Sequence, residues 1–153
     1  MSGQILSIEE VITFAEQMRD KGMSIVTTNG AFDLFHPGHQ FLLQEARTLG
    51  DVLIVGVNSD TSVRGYKGPD RPIDGQAKRA EKVAEYADAV FIFDDADPRP
   101  WLPLIQPNIH ANAETYGHEC IEAGVLEEIG ATLVLIPVKA ELGSTTQILK
   151  DRP

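Results

Sequence analysis

The run Val52 to Val57 (VLIVGV) contains no polar side chain. Six apolar residues fall far short of the roughly 18 that a membrane span requires, and no apolar run in the chain reaches that length. An unbroken apolar strand, unlike an alternating one, is buried on both faces, which is the habit of parallel sheets covered by helices. Comparable short runs recur at Ser24 to Thr28 (SIVTT), Ala89 to Phe93 (AVFIF), Pro107 to Ala113 and Thr132 to Pro137 (TLVLIP). In the run from Pro107, Ile109 and Ala111 are the inward candidates.

Helical periodicity fills the gaps between these runs. Ser7-Ile8-Glu9-Glu10 is a capping box, a hydroxyl followed three residues on by a carboxylate. It opens a helix over about 7–21 with Ile8, Val11, Ile12, Phe14 and Ala15 at helical spacing and Gly22 as its stop. Residues 38–49 place Phe41, Leu42, Ala46 and Leu49 on one face, with Gly50 as the cap. Residues 76–86 turn Ala77, Ala80, Val83 and Ala84 inward. A short helix is predicted over 98–105 and a longer one over 118–129, ended by Gly130. Residues 64–75 (RGYKGPDRPIDG) are rich in Gly and Pro and read as a mobile loop. Ser144-Thr145-Thr146 caps a short final helix.

Strands alternating with helices predict an α/β fold: a single doubly wound, Rossmann-like parallel sheet with helices on both faces. Its length suits one domain, residues 1–153, with the first helix as an extension. No internal repeat, low-complexity segment or linker interrupts it. The N-terminus MSGQILSIEE is acidic where a secretory leader would be basic and then apolar, and a single cysteine, Cys120, agrees with a reducing compartment. The expectation is a cytoplasmic protein. With 13 Lys and Arg against 23 Asp and Glu, the net charge of −10 argues against nucleic acid or anionic membrane as partner. Any phosphate chemistry must then occupy a small local pocket.

Such a pocket is foreshadowed by Thr28 to Asp51 (TNGAFDLFHPGHQFLLQEARTLGD), which leaves a strand and opens a helix. A helix start offers backbone N–H groups and a positive dipole end to an anion. Gly30, Ala31 and Gly38 are small enough to let a ligand approach the backbone. His36 and His39, three apart, lie on one side of the first turn and present donors to phosphate oxygens. A zinc site and simple helix padding compete with this role. His-x-x-His supplies two zinc ligands where three or four are usual, and His110, His118 and Cys120 complete no usual zinc spacing. As padding, both histidines would merely cap and fill the helix start.

Residues 30–39 (GAFDLFHPGH) resemble the His-x-Gly-His signature of the cytidylyltransferase-like nucleotidyltransferases. Further segments resemble one branch, the adenylyltransferase domain of bifunctional ADP-heptose synthase. These are LGDVLIVGVNSD at 49–60, VRGYKGPDRPI at 63–73, Lys78-Arg79, Ala87 to Val90 and Gly143 to Thr146; the likeness covers roughly 24–150. The resemblance implies transfer of a nucleoside monophosphate from a triphosphate to a phosphate acceptor, with release of pyrophosphate and no covalent enzyme intermediate. Within this branch the donor is ATP, the acceptor a sugar 1-phosphate with heptose 1-phosphate foremost, and Mg²⁺ accompanies the triphosphate. Asn29, Gly30, Ala31, Phe32 and Gly38 would line the nucleotide site. His36 and His39 would stabilise the phosphates, Lys67 would close over them from its loop, and Arg79 would touch triphosphate or acceptor. Ser144, Thr145 and Thr146 would bind the triphosphate at a helix start. Asp33 would brace the loop or stand behind the site. For Lys67, Arg79 and the Ser-Thr-Thr run the plainer alternatives are a solvated lysine, an exposed helix arginine and an ordinary N-cap.

One segment departs from the branch. Where the ADP-heptose enzymes carry a Lys-Gly-Gly-Asp-Tyr-like run, this chain has Asn112-Ala113-Glu114-Thr115-Tyr116. Asn112, Glu114 and Tyr116 are the candidates there, with Glu114 expected to accept from ribose hydroxyls. A stand-alone subgroup is similar at this point, with Asn-x-x-x-Tyr-Gly and then Cys-Ile-Glu-Ala, as at 120–123. The Arg-Thr pair of glycerol-3-phosphate cytidylyltransferases is absent before Ser144, while FAD synthases share the first motif. Resemblance also implies a homodimer and, for the heptose reading, a separate kinase supplying the sugar 1-phosphate. A nucleotide-binding module without turnover is the reading from another class.

Overall fold

The computed structural model describes residues 3–138. Six parallel strands form one sheet: β1 (Gln4–Ile5), β2 (Ile25–Gly30), β3 (Val52–Asn58), β4 (Ala89–Phe93), β5 (Ile109–Ala113) and β6 (Thr132–Ile136). Their spatial order is β1-β4-β3-β2-β5-β6. The helices are α1 (Ile8–Asp20), α2 (Pro37–Arg47), α3 (Asp60–Lys67), α4 (Gln76–Ala84), α5 (Leu102–Ile105) and α6 (Ala123–Ile129). Among the described residues no helix is long and apolar enough to cross a membrane.

The expected α/β sheet is present, and β3 shows why. All seven of its residues are buried. Leu53, Val55 and Val57 pack toward α2 and α4 with Leu43, Ala46, Ala80 and Val83. Val52 and Ile54 point the other way, to Val11 and Ala15 of α1 and to Trp101, Leu102 and Leu126. Period-two alternation thus feeds two apolar layers, one on each face. Gly56 is required on the second layer: a Cβ there would sit 3.0 Å from Phe91, Phe93 and Trp101. The capping box of α1 forms in full, Ser7 Oγ accepting the Glu10 N–H while Glu10 accepts that of Ser7.

Four elements differ from the sequence expectation. Residues 64–67 are helical, the end of α3 rather than loop; Ser59 Oγ accepts the Ser62 N–H and starts this helix before the Gly- and Pro-rich stretch begins. Strand β1 has two residues, too few for any periodicity to reveal. The predicted 98–105 helix shrinks to α5, and the predicted 118–129 helix starts only at Ala123. Gly117, at φ 70°, turns the chain so that 117–122 runs as turns over the carboxyl edge of the sheet. The final helix predicted at Ser144 lies outside the described residues.

Strand order reverses between β2 and β5. Their pairing has two rungs, Val26 with Ile109 and Thr27 with His110, although both strands continue for three more residues. Past the second rung the strands part, and a crevice opens at their carboxyl ends, where ligands bind in such sheets. The closing rung carries a buried side-chain bond, Thr27 Oγ1 to His110 Nδ1 at 2.8 Å. Burial pushes the His110 pKa down to about 4. Its unfolded counterpart titrates near 6.5, so the unfolded chain binds more protons between those values and stability falls as pH drops from about 6.5 toward 4. At pH 5 the loss amounts to about 2 kcal/mol. Urea unfolding at pH 7 and pH 5 should therefore show a smaller pH dependence in His110→Asn than in the parent, by about that amount.

Candidate active site

Above the parting of β2 and β5 lies a cavity of about 610 Å³. One wall is the loop from β2 into α2. Phe32 and Leu34 both hold positive φ, 53° and 51°. Side chains with a Cβ rarely adopt that conformation, and such strain concentrates at ligand sites. Asp33, 1% exposed, locks the loop from behind. Its carboxylate accepts the N–H groups of Ile73 and Asp74 at 2.8 and 2.9 Å and Nε of Arg71 at 3.1 Å. Burial alone would raise its pKa, but the Asp74 and Ile73 N–H groups and Arg71 outweigh it and hold the carboxyl below its ordinary range.

His36 is the N-cap of α2, with Pro37 at the first helical position. Its Nδ1 accepts the Gly38 N–H at 3.0 Å. In the neutral ring the proton must then sit on Nε2, which is left as a donor. The His39 ring stacks on it, centroids 3.8 Å apart and planes 24° apart. Phe32 and Phe35 flank His39, each 5.4 Å away. Burial lowers the pKa of both imidazoles; for His39, the positive ends of His36 and Lys67 add to burial, and the ring is pushed to about 3 against the opposing pull of Asp33. Both rings are neutral at pH 7. His39 Nδ1 and Arg71 Nη2 are buried with no hydrogen-bond partner among the described residues. His39 lines the cavity, and its unmatched nitrogen fits a ligand that brings oxygens.

Lys67, the last residue of α3, also faces the cavity. Burial lowers its pKa, and Arg71 and Arg79 push the same way. Asn29, Gly30, Ala31, Phe32, Asn112 and Tyr116 line the cavity with it. His36 and Gly38 stand behind His39 rather than in the lining. Glu114 points elsewhere, its Oε1 accepting the Val138 N–H at 3.1 Å. Ser144, Thr145 and Thr146 fall outside the described residues. No group of three or more His, Cys, Asp or Glu able to hold a metal occurs among the described residues.

Arg79 is placed in the protein interior, 1% exposed. Its Nη1 donates to the carbonyls of Ala31 and Asn58 at 2.7 and 2.6 Å, its Nε to the Asp74 carbonyl, and its Nη2 to Asp60 at 2.8 Å. The guanidinium thereby ties together the chain just past β2 and β3 and the start of α4. Lysine has no planar fork and cannot reproduce four bonds in those directions. Arg79→Lys should destabilise the fold by about 3 kcal/mol, read as a lower urea midpoint.

Cys120, Ile121 and Glu122 also line the cavity, although the sequence offered them only as part of a subgroup resemblance and not as site residues. Helical periodicity over 118–129 disguised them. The Gly117 turn was the available hint, since a glycine there ends the preceding 3-10 turn, Glu114–Tyr116.

Doubly wound sheet, switch-point cavity and a histidine pair at a helix start together define a nucleotidyltransferase. More narrowly, the chain belongs to the cytidylyltransferase-like family, which it matches over residues 27–142. Relatives named bifunctional protein HldE, from a Nitratiruptor species and from Geotalea uraniireducens, are 41% and 37% identical over 128 and 150 residues. Those alignments cover 82% and 96% of this chain and 28% and 30% of the relatives, so the chain spans less than a third of their length. The lipopolysaccharide core biosynthesis protein from Thermoplasma volcanium superposes with a TM-score of 0.61 at 28% identity, covering 77% of this chain and 98% of that one. Pantoate-beta-alanine ligase from Francisella tularensis, at 15% identity and a TM-score of 0.69, shares the fold over 90% of this chain and 68% of its own.

Proposed function

We propose that the protein transfers AMP from ATP to a sugar 1-phosphate, heptose 1-phosphate being the foremost acceptor, and releases pyrophosphate. The observation that carries this reading is the stacked pair His36–His39 at the start of α2, beside a switch-point cavity that Lys67 also lines. Likeness to the HldE relatives and to the lipopolysaccharide core biosynthesis protein supports the adenylyl donor and the sugar phosphate.

The chemistry requires little from the protein beyond position and charge. An oxygen of the acceptor phosphate, already anionic, attacks the α-phosphorus in line; a P–O bond forms as the bond to the β-phosphate oxygen breaks, and its electron pair leaves with pyrophosphate. No general base is needed. Negative charge moves onto the leaving oxygens. The His39 ring and the Lys67 ammonium would supply donors there, with the Nε2–H of His36 stacked behind His39. Strain at Phe32 and Leu34 and the brace at Asp33 hold that loop ready before substrate arrives. Asp33 is committed to three donors, so this end of the cavity offers imidazoles and cations rather than a carboxylate cage. Mg²⁺ would then be carried in on the triphosphate rather than held by these residues, and would neutralise phosphate charge.

Pyrophosphate release with Mg²⁺ should appear with ATP and a heptose 1-phosphate, in a panel that also offers CTP, other sugar 1-phosphates, glycerol 3-phosphate and FMN. His36→Ala and His39→Ala should each lower kcat by about 100-fold or more with the fold retained, His36→Ala also losing about 1 kcal/mol of stability with its N-cap. Release with CTP alone would replace the adenylyl reading. Unchanged rates in both variants would remove the histidines from the mechanism.

A further inference from the structure

Phosphate binding leaves the other end of the cavity unexplained. Glu122 lines it and is only 4% exposed. Its Oε1 accepts from Nδ2 of Asn112 at 2.9 Å. The Asn112 amide is itself oriented, because its Oδ1 accepts the Ala113 N–H at 3.0 Å. A carboxylate has about four acceptor sites, and a buried one is costly unless they are filled. The amide of Asn112 fills one. Cys120 offers a thiol, a weak donor, and its own pKa is pushed to about 11 by burial and the neighbouring Glu122. The nearby guanidinium of Arg99 is engaged by Asp97 at 2.9 and 3.1 Å. Among the described residues, acceptor capacity therefore remains at the cavity wall.

The surroundings restrict what fills it. A second anion is repelled, so phosphates belong at the His39 and Lys67 end. Tyr116 and Ile121, which line the same region, are 67% and 58% exposed and offer apolar surface to a flat ring. Acceptor oxygens flanked by apolar surface suit a nucleoside. Building on the nucleotide reading above, we infer that Glu122, held in place by Asn112, selects the nucleoside. Its carboxylate accepts hydrogen bonds from neutral donors, either an exocyclic amine of the base or the ribose hydroxyls.

The test is equilibrium binding to the full chain in the presence of Mg²⁺, by calorimetry, with no acceptor present. Four ligands are compared: ATP, ITP (the amine replaced by a carbonyl oxygen), 2′-deoxy-ATP and 3′-deoxy-ATP. The analogue lacking the donor that Glu122 contacts should bind at least 10-fold more weakly than ATP. Weak ITP identifies the amine, and a weak deoxy analogue identifies the ribose. In Glu122→Met, which keeps the volume and removes the acceptors, the discriminated analogue should come within about threefold of ATP. Glu122→Gln, isosteric and uncharged, should narrow the same ratio and serves if the methionine variant does not fold. Equal binding of all four ligands to the parent, or full discrimination in the variants, overturns the inference. Failure of ATP itself to bind overturns the nucleotide reading beneath it and is recognisable as such.

Discussion

One buried guanidinium holds the carboxyl edge of the sheet together. The ladder between β2 and β3 ends at Gly30 and Val57, so the carbonyls of Ala31 and Asn58 lie beyond it. Arg79 reaches from α4 to take both, together with the Asp74 carbonyl and the Asp60 carboxylate. The loop carrying His36 and His39 starts at Ala31, and the segment braced by Asp33 ends at Asp74. The start of the histidine loop and the end of the segment that Asp33 braces are thus pinned to one side chain. A charged anchor in the interior is tolerable because almost every donor has an acceptor.

From that anchor the cavity divides into two chemistries. One end has donors: the neutral His39 imidazole, with His36 stacked behind it, and a lysine whose pKa burial lowers. The other has an acceptor in excess, Glu122. On the proposed function, a triphosphate with a nucleoside attached has the opposite polarity along its length, so the cavity would fix its direction as well as its place. This division also reconciles the chain's net charge of −10 with phosphate chemistry: the attraction is local, short-ranged and walled by apolar residues.

Legibility in the sequence followed how local each signal is. The strands were legible because β-branched runs such as VLIVGV permit little else at that length. The histidine pair was legible because its chemistry, its Pro-Gly and its helix start sit within four residues. Helix α3 was hidden: its cap at Ser59 is ordinary, and Gly65 and Gly68 make its second half look like loop. Arg79 was visible as a residue but not as an anchor, because its main partners are backbone carbonyls, 48 and 21 positions away, that have no sequence signature. Glu122 was hidden by its setting, a carboxylate in a stretch whose periodicity imitates a solvated helix. Glu114, nearer the strand, looked better placed for ribose and instead bonds the Val138 backbone.

His36 and His39 are neutral in the free protein, and the proposed function makes them donors to phosphate oxygens. This is tested most directly by following the imidazole Cε1–H signals by NMR from pH 8 downward, with and without Mg²⁺ and ATP. Without nucleotide, the account predicts that His39 stays neutral until about pH 3, or until the fold is lost, and that His36 titrates below 6.5. With nucleotide bound, phosphate charge should raise both, so that binding takes up protons and tightens as pH falls. Two histidines that titrate near 6.5 in the free protein and do not move when nucleotide binds would contradict it.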